Sequence, residues 1–266
     1  MYNFFQLFGK YISYWVRASN GKGHGLHSPF IFEMVKDALN DRPKDRSLFN
    51  HIEVIRKRFS KDTHHISILD LGAGSVKGNA AERTISSIAR SAAKSAKFGR
   101  LFYRMVKHFK VETVLELGTS LGLSSRYFAE ANPTYGVITI EGAPSLASFT
   151  EEKLKEEGYT NIRVHEGDFQ YWIPRLIPDL VGRKLIYVDG NHRYAPTVEY
   201  FHQFLPFLGN DDILIFDDIH WSQEMEKAWK EIKNHEQVAC TVDLFFVGIV
   251  FFRKEFKEKL NFSIRF

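Results

Sequence analysis

Carboxylates recur along the second half of the chain at intervals of 21 to 28 residues: Glu116, Glu141, Asp168, Asp189 and the pair Asp217-Asp218. A carboxylate accepts hydrogen bonds from hydroxyls and exocyclic amines, and it balances a cationic group. The first of them is followed at once by Gly118-Thr119-Ser120-Leu121-Gly122. Glycines let a ligand approach the backbone, and a helix starting there offers unpaired N–H groups. A row of acids beside a glycine turn suits a ligand that carries hydroxyls, an amine and positive charge.

Each acid closes, or lies just after, a short apolar run of the kind a buried parallel strand shows: 111–117, 137–141, 162–165, 184–189 and 212–217. Helical patterns over 123–131, 145–157, 169–180, 195–207 and 221–234 separate them. Alternating strands and helices predict parallel pairing through right-handed crossovers. The end differs. Val238 to Phe246 and Gly248 to Arg253 are strand-like with no helix between them, which predicts a hairpin and a reversed last strand. The expected sheet has seven strands.

In open α/β sheets, ligands bind at the carboxyl ends of the strands, where these acids fall. Glu141 at the second strand end suits the two hydroxyls of a ribose. Asp168 followed by Phe169 suits an adenine, one accepting from the amine and the other stacking on the ring. Glu116 and the turn residues Gly118, Thr119, Ser120 and Gly122 then face whatever the nucleoside carries. An amino acid ammonium fits that carboxylate and a pyrophosphate does not, and the turn lacks Gly-x-Gly-x-x-Gly spacing.

Together, Glu116-Leu-Gly-Thr-Ser-Leu-Gly122, Ile140-Glu-Gly142, Glu166-Gly-Asp-Phe169, Asp189-Gly-Asn-His192 and Asp217-Asp218 resemble the successive motifs of class I S-adenosylmethionine-dependent methyltransferases. The resemblance covers about 98–254 and is nearest the small-molecule O-methyltransferases of the catechol and macrocin types. It implies a Rossmann-like α/β fold with a C-terminal antiparallel hairpin. It implies S-adenosylmethionine as cofactor, with Gly142 and Asp189 among its contacts, and a small-molecule methyl acceptor. It also implies a divalent ion, usually magnesium, on Asp189, Asp217 and Asp218, and a proton acceptor, His192 or His220. Asn191 departs from the macrocin-type pattern, where a third acid often stands.

The rest of the chain bears on domains and on rival readings. Its 266 residues are 44% hydrophobic and 26% charged, which describes a soluble globular protein. The single cysteine, Cys240, excludes an internal disulfide and fits a reducing cytoplasm. Residues 1–60 read as a helical extension, through which a homodimer would form, with Ser28 and Pro29 opening one helix and His24 and His27 in a glycine-rich bend. Ile66 to Ser75 is a second strand-and-glycine pattern. No strand follows it at the distance a nucleotide fold requires, so 61–97 reads as an insertion or lid and 98–266 as the catalytic domain.

Residues 83–111 contain no acid. Arg90, Lys94, Lys97, Arg104 and His108 share much of one helical face, with Gly99 as an interruption. That face is expected to be solvated; contact with RNA is the less favoured reading. Gly118-Thr-Ser120-Leu-Gly122 also matches a hydrolase nucleophile elbow, with Ser120, Asp189 and His220 in an allowed order. That reading leaves Glu141 and Asp168-Phe169 idle. A non-catalytic binding protein on the same fold is the third alternative.

Overall fold

The computed structural model describes residues 1–23, 27–40, 43–68, 81–91, 94–131 and 136–266. Strands β1 (His65–Ile68) and β2 (Ala81–Thr84) form a separate antiparallel pair. The main sheet holds β3 (Thr113–Leu117), β4 (Val137–Glu141), β5 (Ile162–Glu166), β6 (Lys184–Val188), β7 (Ile213–Asp217), β8 (Cys240–Asp243), β9 (Val247–Phe251) and β10 (Leu260–Ser263). Their order is β10-β8-β9-β7-β6-β3-β4-β5. Only β9 runs against its neighbours. The sheet has eight strands where the sequence predicts seven. The extra strand, β10, adds parallel to β8 at the edge.

The strands form because their alternate residues feed two apolar layers. Val114, Leu185, Tyr187, Ile213, Ile215, Ile249 and Phe251 enter one layer, covered by helices Ala96–Phe109 and Leu123–Ala131. Leu115, Leu117, Ile186, Val188, Leu214, Phe216 and Val250 enter the other, covered by Phe169–Leu176, Tyr194–Phe204 and Gln223–Asn234. Both faces are buried, so the strands read as continuous apolar runs rather than alternating ones. Chain connection reverses at β3, whose neighbours are β4 on one side and β6 on the other. In open α/β sheets such a reversal point is where ligands bind, at the carboxyl ends of the strands.

The N-terminal residues pack on this body. Helix Phe4–Arg17 starts with a capping box of Asn3 and Gln6. It is tied down where Tyr2 Oη donates to Glu226 (2.7 Å) and Lys10 pairs with the same carboxylate (2.9 Å). Tyr14 donates to the Ile264 carbonyl, and Ser19 bridges to Ile264. The other face of this helix leaves Phe4, Phe5, Phe8 and Val16 exposed. A third apolar cluster joins Phe49, Ile52, Phe59, Ile66, Ile85 and Ile88 to Leu121, Leu123, Tyr127 and Leu146 of the α/β body. Of the second glycine pattern, Ile66 to Ile68 belong to β1, outside the main sheet; residues 69–75 and His24 lie outside the described residues.

Helix Ala96–Phe109 runs through Gly99 without a break. A Cβ at Gly99 would sit 2.3 Å from the Tyr127 ring, so the glycine serves close helix approach rather than interruption. The basic face expected there is partly internal. Arg104 is buried and donates Nε to the Ala38 carbonyl (2.7 Å), and Lys97 lies over the Phe266 ring at 4.0 Å. Lys94 also turns inward. Among the described residues, no helix is long and apolar enough to cross a membrane.

Candidate active site

The glycine turn is shaped by backbone that side chains disfavour. Gly118 has φ +101°, and a Cβ there would meet the Asp189 carbonyl oxygen at 1.9 Å. Gly122 and Ser120 also have positive φ, at +66° and +49°. The turn is pinned on both sides. Gly118 N and Thr119 N donate to the Ile140 carbonyl (2.9 and 3.2 Å), and Asp189 N donates to that of Leu117 (2.8 Å). Thr119 Oγ1 lies 2.7 Å from Thr139 Oγ1. Glu141 closes the turn from the next strand. Its Oε2 accepts from Ser120 N (2.8 Å) and its Oε1 from Ala143 N (3.0 Å), across Gly142. Glu141 is half-buried.

Glu116 behaves differently from the expectation of a carboxylate facing a ligand. It is fully buried and accepts from the hydroxyls of Ser124, Ser125 and Thr139, the last at 2.8 Å. Ser124 and Ser125 belong to the helix that follows the turn, so the carboxylate locks strand to helix. Burial pushes its pKa up to about 7, although the three hydroxyl donors pull the other way.

Asp168 is exposed and caps helix Phe169–Leu176, accepting from Gln170 N at 2.6 Å. Phe169 meets Tyr200 edge-on at 5.7 Å. A Cβ on Gly190 would touch the Phe169 ring at 2.6 Å, so the ring lies against the Asp189-Gly190 turn. The ends of β5 and β6, separated in the sheet by β3 and β4, meet at this ring.

The acids after β6 and β7 form one cluster, and a lysine sits in it. Lys94 Nζ lies 2.7 Å from Asp217 Oδ2 and 2.7 Å from Asp218 Oδ1. Asp217 is buried, and its Oδ1 has no hydrogen-bond partner among the described residues. Asp189 Oδ2 accepts from Tyr187 Oη (3.0 Å), and His192 Nε2 is 3.6 Å from Asp189 Oδ1. Burial lifts the Asp189 pKa to about 6, with Lys94 opposing. Burial, and then the Asp189 charge, hold Asp217 well above the ordinary carboxylate range. Burial would lower the Lys94 pKa, but Asp217, Asp218 and Asp189 together raise it above that of an ordinary lysine. The cluster thus holds the Lys94 ammonium between two carboxylates.

A divalent ion was expected on Asp189, Asp217 and Asp218. Ligand atoms of Asp189, His192 and Asp217 do lie within 4.8 Å of one another, and their types suit a small cation. As arranged, the residues do not fit one, because Lys94 already engages Asp217 and Asp218 with a cation of its own.

His220, the other proton acceptor expected, has both ring nitrogens committed. Nδ1 is 3.1 Å from Glu226 Oε1 and Nε2 is 2.8 Å from Asp243 Oδ2, with the ring stacked on Phe245. Burial lowers its pKa but the two carboxylates raise it further, and neither ring nitrogen is left to take a proton from a substrate. This also leaves the hydrolase arrangement without its histidine. His192 stands apart from that network, one quarter exposed. It lines a cavity of about 580 Å³ together with Met1, Tyr2, Trp221 and Glu224. The N-terminal residues therefore wall this side of the site. Sequence reasoning missed Lys94 and Asp243. The acid-free run 83–111 was the available signal for the lysine; Asp243 gives none.

Residues 115–219 match the model of a family described as a methyltransferase domain. A catechol O-methyltransferase of Niastella koreensis is 25% identical over 124 residues, 46% of this chain and 55% of the relative. The chain thus spans about half the length of that curated relative. Among solved structures, the O-methyltransferase TomG of Streptomyces achromogenes, in complex with S-adenosylmethionine, superposes with a TM-score of 0.52 at 21% identity. That match covers 61% of this chain and 82% of TomG. A methyltransferase of Podospora anserina bound to S-adenosylhomocysteine gives 0.55 at 16% identity, over 96% of this chain and 99% of that one. The chain has the methyltransferase fold. Within that fold, the turn at Gly118 and the acids of β4 to β7 lie at the carboxyl ends of the strands, beside the point where strand order reverses.

Proposed function

We propose that the protein is an S-adenosylmethionine-dependent methyltransferase that moves a methyl group to an oxygen of a small molecule. One observation carries this reading. The turn 118–122, at positive φ at Gly118, Ser120 and Gly122, packs against Asp189, and a partly exposed Glu141 braces it at the tip of the adjacent strand. That arrangement offers a ribose two carboxylate oxygens. Asp168 and Phe169 beyond it offer an acceptor and an aromatic face to the adenine.

The sulfonium methyl is already activated, so the protein must align the two reactants and take one proton. The acceptor oxygen forms a bond to the methyl carbon as the sulfur–carbon bond breaks, and the electron pair stays on sulfur as a thioether. His192 receives the acceptor's proton, since it is accessible and lies 3.6 Å from Asp189, whose charge favours the imidazolium that forms. In this reading residues 98–266 form the transferase domain, 1–60 a helical extension and 61–97 an insertion at the mouth of the site. A second copy covers the exposed face of helix Phe4–Arg17, and light scattering of the purified protein tests that dimer. The lone thiol, buried at Cys240, agrees with a cytoplasmic setting.

Two of the basic residues behind the RNA alternative, Lys94 and Arg104, turn inward. The test of the main reading is Glu141→Ala. Removing two charge-assisted hydrogen bonds should weaken S-adenosylhomocysteine binding by roughly one to two orders of magnitude in calorimetry. Unchanged affinity would remove the ribose assignment.

A further inference from the structure

We infer that Lys94 stands in for the divalent ion in this site: its ammonium is the cation that Asp217 and Asp218 hold, and it presents positive charge to the acceptor oxygen. The lysine approaches from outside the α/β core, just before helix Ala96–Phe109, and its Nζ reaches two carboxylates at the end of β7 at equal 2.7 Å distances. A bridging position between two adjacent carboxylates is where an oxygen-coordinated ion would sit. An ion placed there has to displace the ammonium. One placed on Asp189, His192 and the free Asp217 Oδ1 has to share a carboxylate with it, two positive charges beside a third.

The site remains reachable: Lys94 keeps 18% of its side-chain surface, Asp218 20% and Asp189 19%. An acceptor oxygen that has lost its proton meets a fixed, strongly hydrated point charge rather than a metal. Lys94 keeps its proton throughout; it forms and breaks no covalent bond. Its role in transfer rests on the methyltransferase reading, whereas its displacement of the metal does not. The acceptor class that follows is a small molecule with an ionisable hydroxyl, held as the oxyanion once His192 has taken its proton.

The test is manganese binding, followed by the electron paramagnetic resonance signal of the free ion. The full-length protein should leave Mn²⁺ free at millimolar concentration. Lys94→Met, which empties the position and keeps the carboxylates, should bind Mn²⁺ at least tenfold more tightly. Lys94→Arg, which restores a cation, should again exclude it. Circular dichroism establishes folding of each variant, and if Lys94→Met does not fold, the wild-type and arginine titrations decide. Micromolar Mn²⁺ binding by the protein with Lys94 in place would overturn the inference, as would a folded Lys94→Met no better than wild type. Failure of S-adenosylhomocysteine to bind, with the manganese pattern as expected, would sink the functional reading and leave the lysine assignment standing.

Discussion

Glu116→Gln gives the most quantitative test of how the turn is held. The carboxyl is fully buried and its pKa is lifted from the ordinary 4.5 to about 7. A raised carboxyl pKa means that the folded state binds the proton more tightly than the unfolded one. Stability contributed by that proton is present below the unfolded pKa and is lost as pH rises through the folded one. A shift of about 2.5 units corresponds to roughly 3 kcal/mol. The glutamine variant cannot titrate, and all other groups are shared. The stability difference between the two proteins should therefore change by about 3 kcal/mol between pH 4 and pH 8, with wild type relatively stronger in acid. In urea unfolding, with an m-value near 3 kcal/mol/M, this is a relative midpoint shift of about 1 M. A difference flat across that range would refute the claim that burial, opposed by Ser124, Ser125 and Thr139, governs this group.

Other perturbations have distinct expected outcomes. Gly118→Ala places a Cβ against the Asp189 carbonyl at positive φ, and should cost about 2–5 kcal/mol by thermal unfolding and abolish cofactor binding. Glu157→Ala strands the fully buried Arg126, whose Nε and Nη2 lie 2.7 and 2.6 Å from that carboxylate, and should cost about 3–5 kcal/mol in urea. His220→Gln should lower stability by about 1–3 kcal/mol through Asp243 and Glu226, yet leave S-adenosylhomocysteine affinity in calorimetry unchanged.

The α/β core was legible because most of its strands are short, predominantly apolar runs that end at an acid or a glycine. Helix Leu123–Ala131 and strand Val137–Glu141 fall where periodicity puts them. β10 was not legible. Leu260-Asn-Phe-Ser is short, follows a charged stretch, and becomes a strand only by pairing with Cys240–Asp243. Side-chain direction was the other blind spot. The sequence places Glu116 at a strand end, but Ser124 and Ser125, in the first turn of the next helix, decide that it points inward. Likewise the basic run shows Lys94 without showing that it crosses 124 residues of sequence to reach Asp218. His220 looked free because Asp243 lies on a later strand. Gly99 looked like a helix break because nothing in its own segment reveals Tyr127 beneath it.

The most direct measurement is a crystal structure of the protein soaked with S-adenosylhomocysteine. The account predicts ribose hydroxyls within hydrogen-bond distance of Glu141, the adenine against Phe169, and the thioether sulfur opening toward Lys94 and His192. Nucleoside density anywhere else on the molecule, or an empty crevice at saturating ligand, would contradict it.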